Sequence, residues 1–388
     1  MHSLSNTVSQ FWINIQGGLF PFIKEELGPL TAKQMQLIEI LEVVRIEQFI
    51  PDYRWYEGRP RKMRAAIARS FIAKMVYSMD STRALWERLR SDKNLRRICG
   101  WENSRAVPSE ATFSRAFAEF AETELPQKVH ETLVKKVYES TIVMHNSRDS
   151  TAIEGREKPA LKPKETGPAT DGEAQKTKRK RGRPKKGEEL PPKEPTRIER
   201  QRSMSLEQML KDLPQTCDIG SKKNSKGHVE HWIGFKLHLD SADNGIPLSA
   251  ILTSASVHDS QVAIPLATIT AQRVTNLYDL MDAAYDVEGI LNHSKSLGHV
   301  PLVDRNPRRD KELALELKAE VKRQRFIHLE SPESIRYKNR TNAERVNSRL
   351  KDEFGGRTVR VRGGVKVMCH LMFGVLALTA DQLMRLVT

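Results

Sequence analysis

The segment Trp232-Ile-Gly-Phe-Lys-Leu-His-Leu-Asp240 decides the fold of the second half of the chain. Its apolar side chains alternate with polar ones, which is the period of a β-strand covered on one face. The apolar set is Ile233, Phe235, Leu237 and Leu239, and the polar set is Lys236, His238 and Asp240. Residues 247–253 are the predicted hairpin partner, across the turn Ala242-Asp-Asn-Gly245.

The flanking segments extend this hairpin into an α/β order. Further strands are predicted at 142–151, 277–282 and 299–304, helices at 259–271 and 286–296, and two more helices close the chain. Three consecutive strands, then helix, strand, helix, strand and helix, is the order of an RNase H-like sheet.

Acidic residues lie where such a sheet carries its chemistry. Asp149 is in the first strand and Asp282 ends the fourth, so neighbouring strand ends should bring them together. Glu344, from the helix after the fifth strand, is the predicted third member. Three converging carboxylates repel one another without cations, and their hard oxygens suit Mg²⁺ or Mn²⁺. Two such ions can promote attack on a phosphodiester.

Glu344 is chosen because of its helix neighbours. Tyr337, Arg340, Glu344 and Lys351 follow Tyr-x2-Arg-x3-Glu-x6-Lys, and at about 100° per residue they fall within about 60° of one another around a helix axis. One helix face therefore carries an aromatic ring, a carboxylate and two cations. The alternative is a surface helix with an Arg340–Glu344 pair, worth only a few tenths of a kcal/mol.

Two polar sites on the strands allow more than one interpretation. Lys236 and His238 border the active site or the DNA, or else lie on a solvated strand face. His258-Asp259-Ser260 is interpreted as a helix cap, because consecutive residues cannot form a catalytic relay.

Residues 1–140 have helical periodicity, with a capping-box pattern at Thr31-Ala-Lys-Gln34. A helix, a turn ending in Val107-Pro108 and a helix from Ser109 suggest a helix-turn-helix. An all-helical dimerisation or scaffold domain is the equal alternative. The predicted polar faces are basic: Arg59, Arg61, Lys62, Arg64, Arg69, Arg88, Arg90 and Arg115.

Residues 158–215 are predicted to be a basic, Pro-rich insertion inside the catalytic domain. Within 158–200 large apolar side chains are scarce, so this part is expected to be disordered. Its core Arg181-Gly-Arg183-Pro184 resembles an AT-hook, which sends arginines along a narrow A·T minor groove. The alternative is a linker that binds phosphates without sequence preference.

The composition agrees with a reducing compartment and a polyanionic partner. The 388 residues carry a net charge of +15. Cys99, Cys217 and Cys369 lie far apart, which excludes a disulfide framework or a CxxC metal knuckle. The N-terminus lacks a signal-peptide pattern, and the apolar stretch at 367–380 is predicted to be a buried helix. A cytoplasmic location is expected.

Several of these stretches together resemble the DDE transposases of bacterial insertion sequences, and more narrowly the group with the Tyr-Arg-Glu-Lys signature. The stretches are Ser147-Arg-Asp149-Ser-Thr-Ala-Ile-Glu154, Gly234-Phe-Lys236-Leu-His238, Ser256-Val-His258-Asp259-Ser260, Met281-Asp282-Ala-Ala-Tyr285-Asp286 and residues 337–351. The resemblance covers nearly all of 141–388, as an RNase H-like catalytic domain, and 1–140 as an N-terminal DNA-binding domain.

The resemblance implies metal-dependent cleavage at the terminal inverted repeats and joining to target DNA. Asp149, Asp282 and Glu344 would be the catalytic and metal-binding residues, with two Mg²⁺ or Mn²⁺ ions. Two copies would act together as a homodimer on the paired ends, in the bacterial cytoplasm. The residues predicted to contact DNA are Tyr337, Arg340, Lys351, Lys236, Arg181 and Arg183.

Two rival functions remain at this stage. One is a DNA-binding repressor without catalysis, and the other is an RNase H-like nuclease that never joins strands. Only 39 residues separate Asp304 from Glu344, and they contain no Trp. The β-rich insertion of some relatives, and with it a hairpin route of cleavage, is therefore not predicted.

Overall fold

The computed structural model describes residues 9, 12–13, 15–51, 63–160, 195–223, 227–305, 307 and 310–387. The first part is helical, as predicted. The capping box at its second helix is present: the Thr31 hydroxyl accepts from the Gln34 amide at 3.2 Å, and the Gln34 side chain accepts from the Thr31 amide at 3.0 Å. The helices are α1 Phe20–Leu27, α2 Ala32–Val44, α3 Arg64–Val76, α4 Thr82–Ser91, α5 Lys93–Ile98, α6 Glu110–Glu122 and α7 Leu125–Tyr138.

The basic faces predicted for these helices are largely neutralised. Arg64 bonds to Glu119 at 2.9 Å, Arg69 lies 3.6 Å from Glu47 and Arg88 lies 3.2 Å from Asp92. Arg90 lies over the Trp86 ring. Arg59, Arg61 and Lys62 lie outside the described residues. The short helix before the predicted turn is α5, and α6 follows the turn.

A mixed sheet follows, consistent with an RNase H-like fold. β1 lies at its centre, antiparallel to β3 on one side and parallel to β5 on the other. β6 continues the parallel side, while β4 pairs with the second half of β3. The turn between β3 and β4 is the predicted one, closed by Gly245 with a φ of 78°. The strands are β1 Val143–Glu154, β2 Asp218–Lys223, β3 Val229–Ala242, β4 Pro247–Ser254, β5 Asn276–Met281 and β6 Val300–Val303.

The end of the predicted insertion is folded, which corrects the expectation of disorder for its last residues. Two short helices, α8 Arg197–Gln201 and α9 Leu206–Asp212, each begin with a capping box, and Met209 and Gln201 are buried. β2 then pairs with the first half of β3. Residues 161–194, with Arg181 and Arg183, lie outside the described residues.

The remaining helices cover the two faces of the sheet. α10 lies on one face of β3 and β4, while α14 and α15 lie on the other. The helices are α10 Ala263–Ala271, α11 Glu288–Ser296, α12 Lys311–Ile327, α13 Pro332–Tyr337, α14 Thr341–Asp352 and α15 Gly364–Arg385.

The last helix, α15, joins the helical part to the sheet. It packs against α2, α3, α6, α7 and β4, and one buried apolar cluster runs from Ile15 to Met384. Phe373 contacts Phe71, with ring centroids 5.7 Å apart. α15 is long and apolar enough to cross a membrane, but 89% of its apolar window is buried inside the protein. It is therefore a core helix, which confirms the predicted buried helix. The predicted division near residue 140 stays a prediction, since the core is shared across it.

The polar face of β3 is buried, so the prediction of a strand with one solvated face is wrong. His238 and Asp240 are both fully buried. Arg148 of β1 donates two hydrogen bonds of 2.8 Å to the Asp240 carboxylate, and Thr270 donates a third of 2.7 Å. Arg148, Asp240 and Thr270 therefore form a polar contact between the sheet and α10, in which each side chain has a hydrogen-bond partner.

Candidate active site

The strand register brings Asp149 and Asp282 side by side. The parallel pairing of β1 and β5 ends at Ser147 opposite Leu280. Two residues further along each chain stand Asp149 and Asp282, close enough for the charge of Asp282 to raise the pKa of Asp149. The Asp282 carboxylate also accepts a 2.9 Å hydrogen bond from the Ala284 amide. Two of the three predicted acidic residues therefore meet at one edge of the sheet.

The pKa values of both carboxyl groups are raised by burial and by neighbouring charges. Burial raises the pKa of Asp149 to about 6, and the charges of Asp282 and Asp259 push it in the same direction. Burial also raises the pKa of Asp282, again with help from Asp259. Arg340 opposes the shift at both groups. Among the described residues, the positive charge of Arg340 does not outweigh burial and the neighbouring acidic residues at either carboxyl group.

Glu344 lies near this pair without joining it. It is in the first turn of α14, half exposed, and its Oε1 accepts a 2.7 Å hydrogen bond from Arg340. Three residues later, Asn347 donates to Asp149 Oδ2 at 3.0 Å, so the same helix face reaches the site. Within the described part of the chain, no three His, Cys, Asp or Glu side chains are placed to share a metal ion. The ion pair proposed for a plain surface helix is present.

Arg340 is a cation whose charge acts on both Asp149 and Asp282. Burial lowers the pKa of its guanidinium, but Tyr337, Asp149, Glu344 and Asp282 together raise it above its usual value. The guanidinium carbon lies 6.0 Å from the centroid of the Tyr337 ring. Arg340 therefore acts as a counter-ion to all three predicted acidic residues.

Tyr337 and Lys351 occupy different surroundings. Burial, with Asp304 and Asp282, raises the pKa of the Tyr337 hydroxyl to about 12, so this side chain lies near Asp282. Lys351 is two turns beyond Glu344, about 10 Å along α14. The charges that act on its ammonium group are those of Lys222, Arg357, Glu154 and Asp352, rather than the acidic residues of the site. Of the four predicted residues, Tyr337, Arg340 and Glu344 therefore lie near the aspartates, whereas Lys351 lies in a different environment.

Lys236 faces the interior of the protein. Its ammonium group donates 2.9 Å hydrogen bonds to Asp259 Oδ1 and to the Val257 carbonyl. His238 Nδ1 lies 3.8 Å from the same carboxylate oxygen. The alternative of a solvated strand face is therefore wrong for both residues. Contact of Lys236 with DNA stays a prediction.

Asp259 is a site residue that the sequence interpretation missed. The side chain that caps the short helix Asp259–Gln261 is that of His258, whose Nδ1 accepts from the Ser260 amide at 3.4 Å. Asp259 instead points toward Asp149 and Asp282, whose pKa values it raises. Burial raises its own pKa, but His238 and Lys236 reverse this and the net shift is downward. The available signal was its place in the quoted stretch His258-Asp259-Ser260.

Asp279 of β5, three residues before Asp282, has a structural environment. It is buried and bonded to Asn146, Asn276, Ser294 and His299. Burial raises its pKa, but His299 and Arg148 overcome this and hold the pKa well below its usual range. All its acceptor positions are engaged, which leaves Asp282 as the partner of Asp149.

Comparison with protein families agrees with this fold and site. The model described as "Transposase DDE domain" matches residues 149–380, more than half of the chain, and begins at Asp149 itself. The model described as "Transposase domain (DUF772)" matches residues 26–119, in the helical part. The chain belongs to the DDE transposases of insertion sequences. Searches of curated proteins and of solved structures found no match.

Membership confirms the predicted resemblance to insertion-sequence DDE transposases. The family acts on DNA and generally uses divalent metal ions. The narrower Tyr-Arg-Glu-Lys group stays a prediction, as do the individual roles of the site residues.

Proposed function

We propose that this transposase cleaves phosphodiester bonds at the inverted-repeat ends of its element and joins the 3′-hydroxyls to target DNA. The observation that carries the proposal is the neighbouring pair Asp149, within β1, and Asp282, directly after β5, with their pKa values raised. An enzyme that keeps two under-compensated carboxylates together maintains them against their own repulsion. This is the arrangement expected of a cation site.

The donor set suits a hard divalent cation, Mg²⁺ or Mn²⁺, with carboxylate oxygens of Asp149 and Asp282 as first ligands. Glu344 would complete the set once its ion pair with Arg340 opens. Two bound ions would supply activation of a water or 3′-hydroxyl and stabilisation of the leaving oxygen. Asn347, bonded to Asp149, orients that carboxylate from α14.

Arg340 would then have a second partner. When Glu344 turns toward the other two carboxylates, the guanidinium loses its 2.7 Å partner. A DNA phosphate can replace it, because the guanidinium fork matches phosphate oxygens. Tyr337 beside it, and Lys351 further along α14, would contact the same strand. Since two ends are cut and joined, two copies of the chain would act together, in the bacterial cytoplasm.

The test is cleavage of labelled duplexes that span the ends of the element, with Mg²⁺ and with chelator. Asp149→Asn and Glu344→Gln should each lower the cleavage rate by about 10³-fold or more, because each removes a ligand charge, and about 4 kcal/mol corresponds to that factor. Glu316→Gln, on the exposed side of α12, is the matched control and should cut like the wild type.

The outcomes separate the rival functions. Wild-type cleavage rates in Asp149→Asn would refute the catalytic assignment. DNA binding without Mg²⁺-dependent cleavage would indicate a regulator. Cleavage without joining of pre-cut ends to a target plasmid would indicate an RNase H-like nuclease.

A further inference from the structure

A segment after α14 displays arginines in a row. Between Gly356 and Gly364 the chain runs without helix or strand, and within it Val359 is buried and Val361 packs against the core. Arg360 and Arg362 alternate with these valines and are exposed. The burial pattern therefore shows that the valines anchor the segment while the arginines face solvent.

Contacts from other elements fix this backbone. The Gly363 amide donates a 2.9 Å hydrogen bond to Glu157 Oε1, and Arg156 donates to the Arg360 carbonyl at 3.4 Å. At Gly364, a Cβ atom would lie only 2.4 Å from the Gln215 carbonyl oxygen, so the chain passes close to the residues before β2. The guanidinium groups are therefore carried by a held segment.

The cations of this region are under-neutralised. Arg357, 71% exposed, pairs with Asp352, but no described side chain forms an ion pair with Arg360, Arg362 or Lys366. Elsewhere exposed cations commonly have a carboxylate one helical turn away, as Lys211 has Glu207 at 2.7 Å. Burial lowers the pKa of Lys351, and the neighbouring charges of Lys222 and Arg357 lower it further. Positive charge thus accumulates from α14 to the start of α15.

The region is continuous with the proposed active site. α14 begins beside Arg340 and Glu344 at the carboxylates and ends with Lys351, next to Arg357. A duplex with its scissile phosphate at Asp149 and Asp282 can therefore continue along α14 and over the 356–364 segment. A row of cations on fixed backbone matches the regular phosphates of a duplex.

We propose that Lys351, Arg357, Arg360, Arg362 and Lys366 form a phosphate-binding track that holds the DNA duplex beyond the bond that is cleaved. The track rests on the proposed function in that DNA is the substrate. It positions the duplex and carries no sequence readout, because its contacts go to the backbone.

The test measures binding of a fluorescent duplex by the full-length protein, in chelator, over a series of KCl concentrations. The triple variant Arg360→Gln, Arg362→Gln, Lys366→Gln should bind more weakly. The slope of log K against log[KCl], which is negative, should become less steep by roughly 2.7, since each lost phosphate contact removes about 0.9 from its magnitude. The charge-preserving variant Arg360→Lys, Arg362→Lys, Lys366→Arg should keep most of the slope.

The matched control removes the same three charges from the outer helix α12, as Lys318→Gln, Lys322→Gln, Arg323→Gln. It should keep the wild-type slope. An unchanged slope in the first triple variant, or an equal loss of steepness in the control, would overturn the proposed track. Wild-type binding and cleavage would in that case leave the proposed function standing. A wild type that neither binds nor cuts DNA would overturn both.

Discussion

Arg148 and Asp149 are neighbours on β1, yet their side chains enter opposite environments. Arg148 turns to the α10 face, where it is fully buried and bonded twice to Asp240. Asp149 turns to the α14 face, where Asn347 is its side-chain hydrogen-bond donor and burial raises its pKa to about 6. One strand therefore carries a charge that is fully compensated and a charge that is not.

The difference separates carboxylates whose charge is compensated by the protein's own side chains from carboxylates whose charge is not. Asp240 and Asp279, on the compensated side, have all their oxygens bonded by neighbours. Asp149 and Asp282 share an edge with Asp259, a third negative charge. A structural carboxylate is stabilised by its own protein, whereas one that awaits a cation is left partly unstabilised until the cation arrives.

Removing the charge of Asp240, which compensates the buried Arg148, should have the largest effect on stability. Asp240→Asn would leave the buried Arg148 guanidinium without its charge partner. We expect a loss of about 3–5 kcal/mol in the free energy of unfolding, because an uncompensated buried charge remains. Denaturant unfolding at pH 7 measures it.

Asp243→Asn is the matched control in the turn that follows β3. Asp243 is about one third exposed and pairs with His145 at 3.3 Å, so the expected loss is below about 1 kcal/mol. Equal losses in the two variants would show that the Arg148–Asp240 pair is not specially compensated.

Removing the uncompensated charge of Asp149 should raise the free energy of unfolding rather than lower it. The pKa of Asp149 in the folded protein, about 6, lies above its ordinary value of 3.8. The folded state therefore binds this proton more tightly, and ionisation costs stability as the pH rises from about 4 to 6. Above that window Asp149→Asn should be more stable than the wild type by up to about 3 kcal/mol.

The measurement is urea unfolding of both proteins in chelator at pH 4 and pH 7.5. The difference between them should be small at pH 4 and near its maximum at pH 7.5. A variant that is less stable at both values would mean that the Asp149 charge is compensated after all. Added Mg²⁺ should stabilise the wild type and leave Asp149→Asn nearly unchanged, because ligand binding to the folded state raises stability.

The sequence predicted the features that depend only on residues close together in the chain. The alternation in β3, the turn at Gly245, the place of Asp149 within the first strand and that of Asp282 directly after β5 all follow from neighbouring residues. The burial of the polar β3 face does not. Its partners Arg148 and Thr270 are 92 and 30 residues from Asp240 in the sequence, and a period of two says nothing about what covers a face.

Other differences have equally physical causes. A helical wheel gives the angle of Lys351 around the axis of α14 but discards its distance along the axis, so its separation from Arg340 was not predicted. The helices α8 and α9 were missed because composition outweighed two capping boxes, Thr196 with Glu199 and Ser205 with Gln208. Asp259 was taken for a cap because its bond to Lys236 joins two distant segments.

The smallest expected effect concerns a run of basic residues that contains no acidic residue. Residues 178–186, Lys-Arg-Lys-Arg-Gly-Arg-Pro-Lys-Lys, contain no carboxylate, in contrast to the pairing of Arg148 with Asp240. We predict that Arg181→Ala with Arg183→Ala weakens binding to an A·T-rich duplex about tenfold more than to a G·C-rich one, because a narrow A·T minor groove attracts inserted arginines. Lys185→Ala with Lys186→Ala is the matched control, expected to weaken both duplexes alike. Equal losses in the arginine variant would leave contact with phosphates alone as the function of the run.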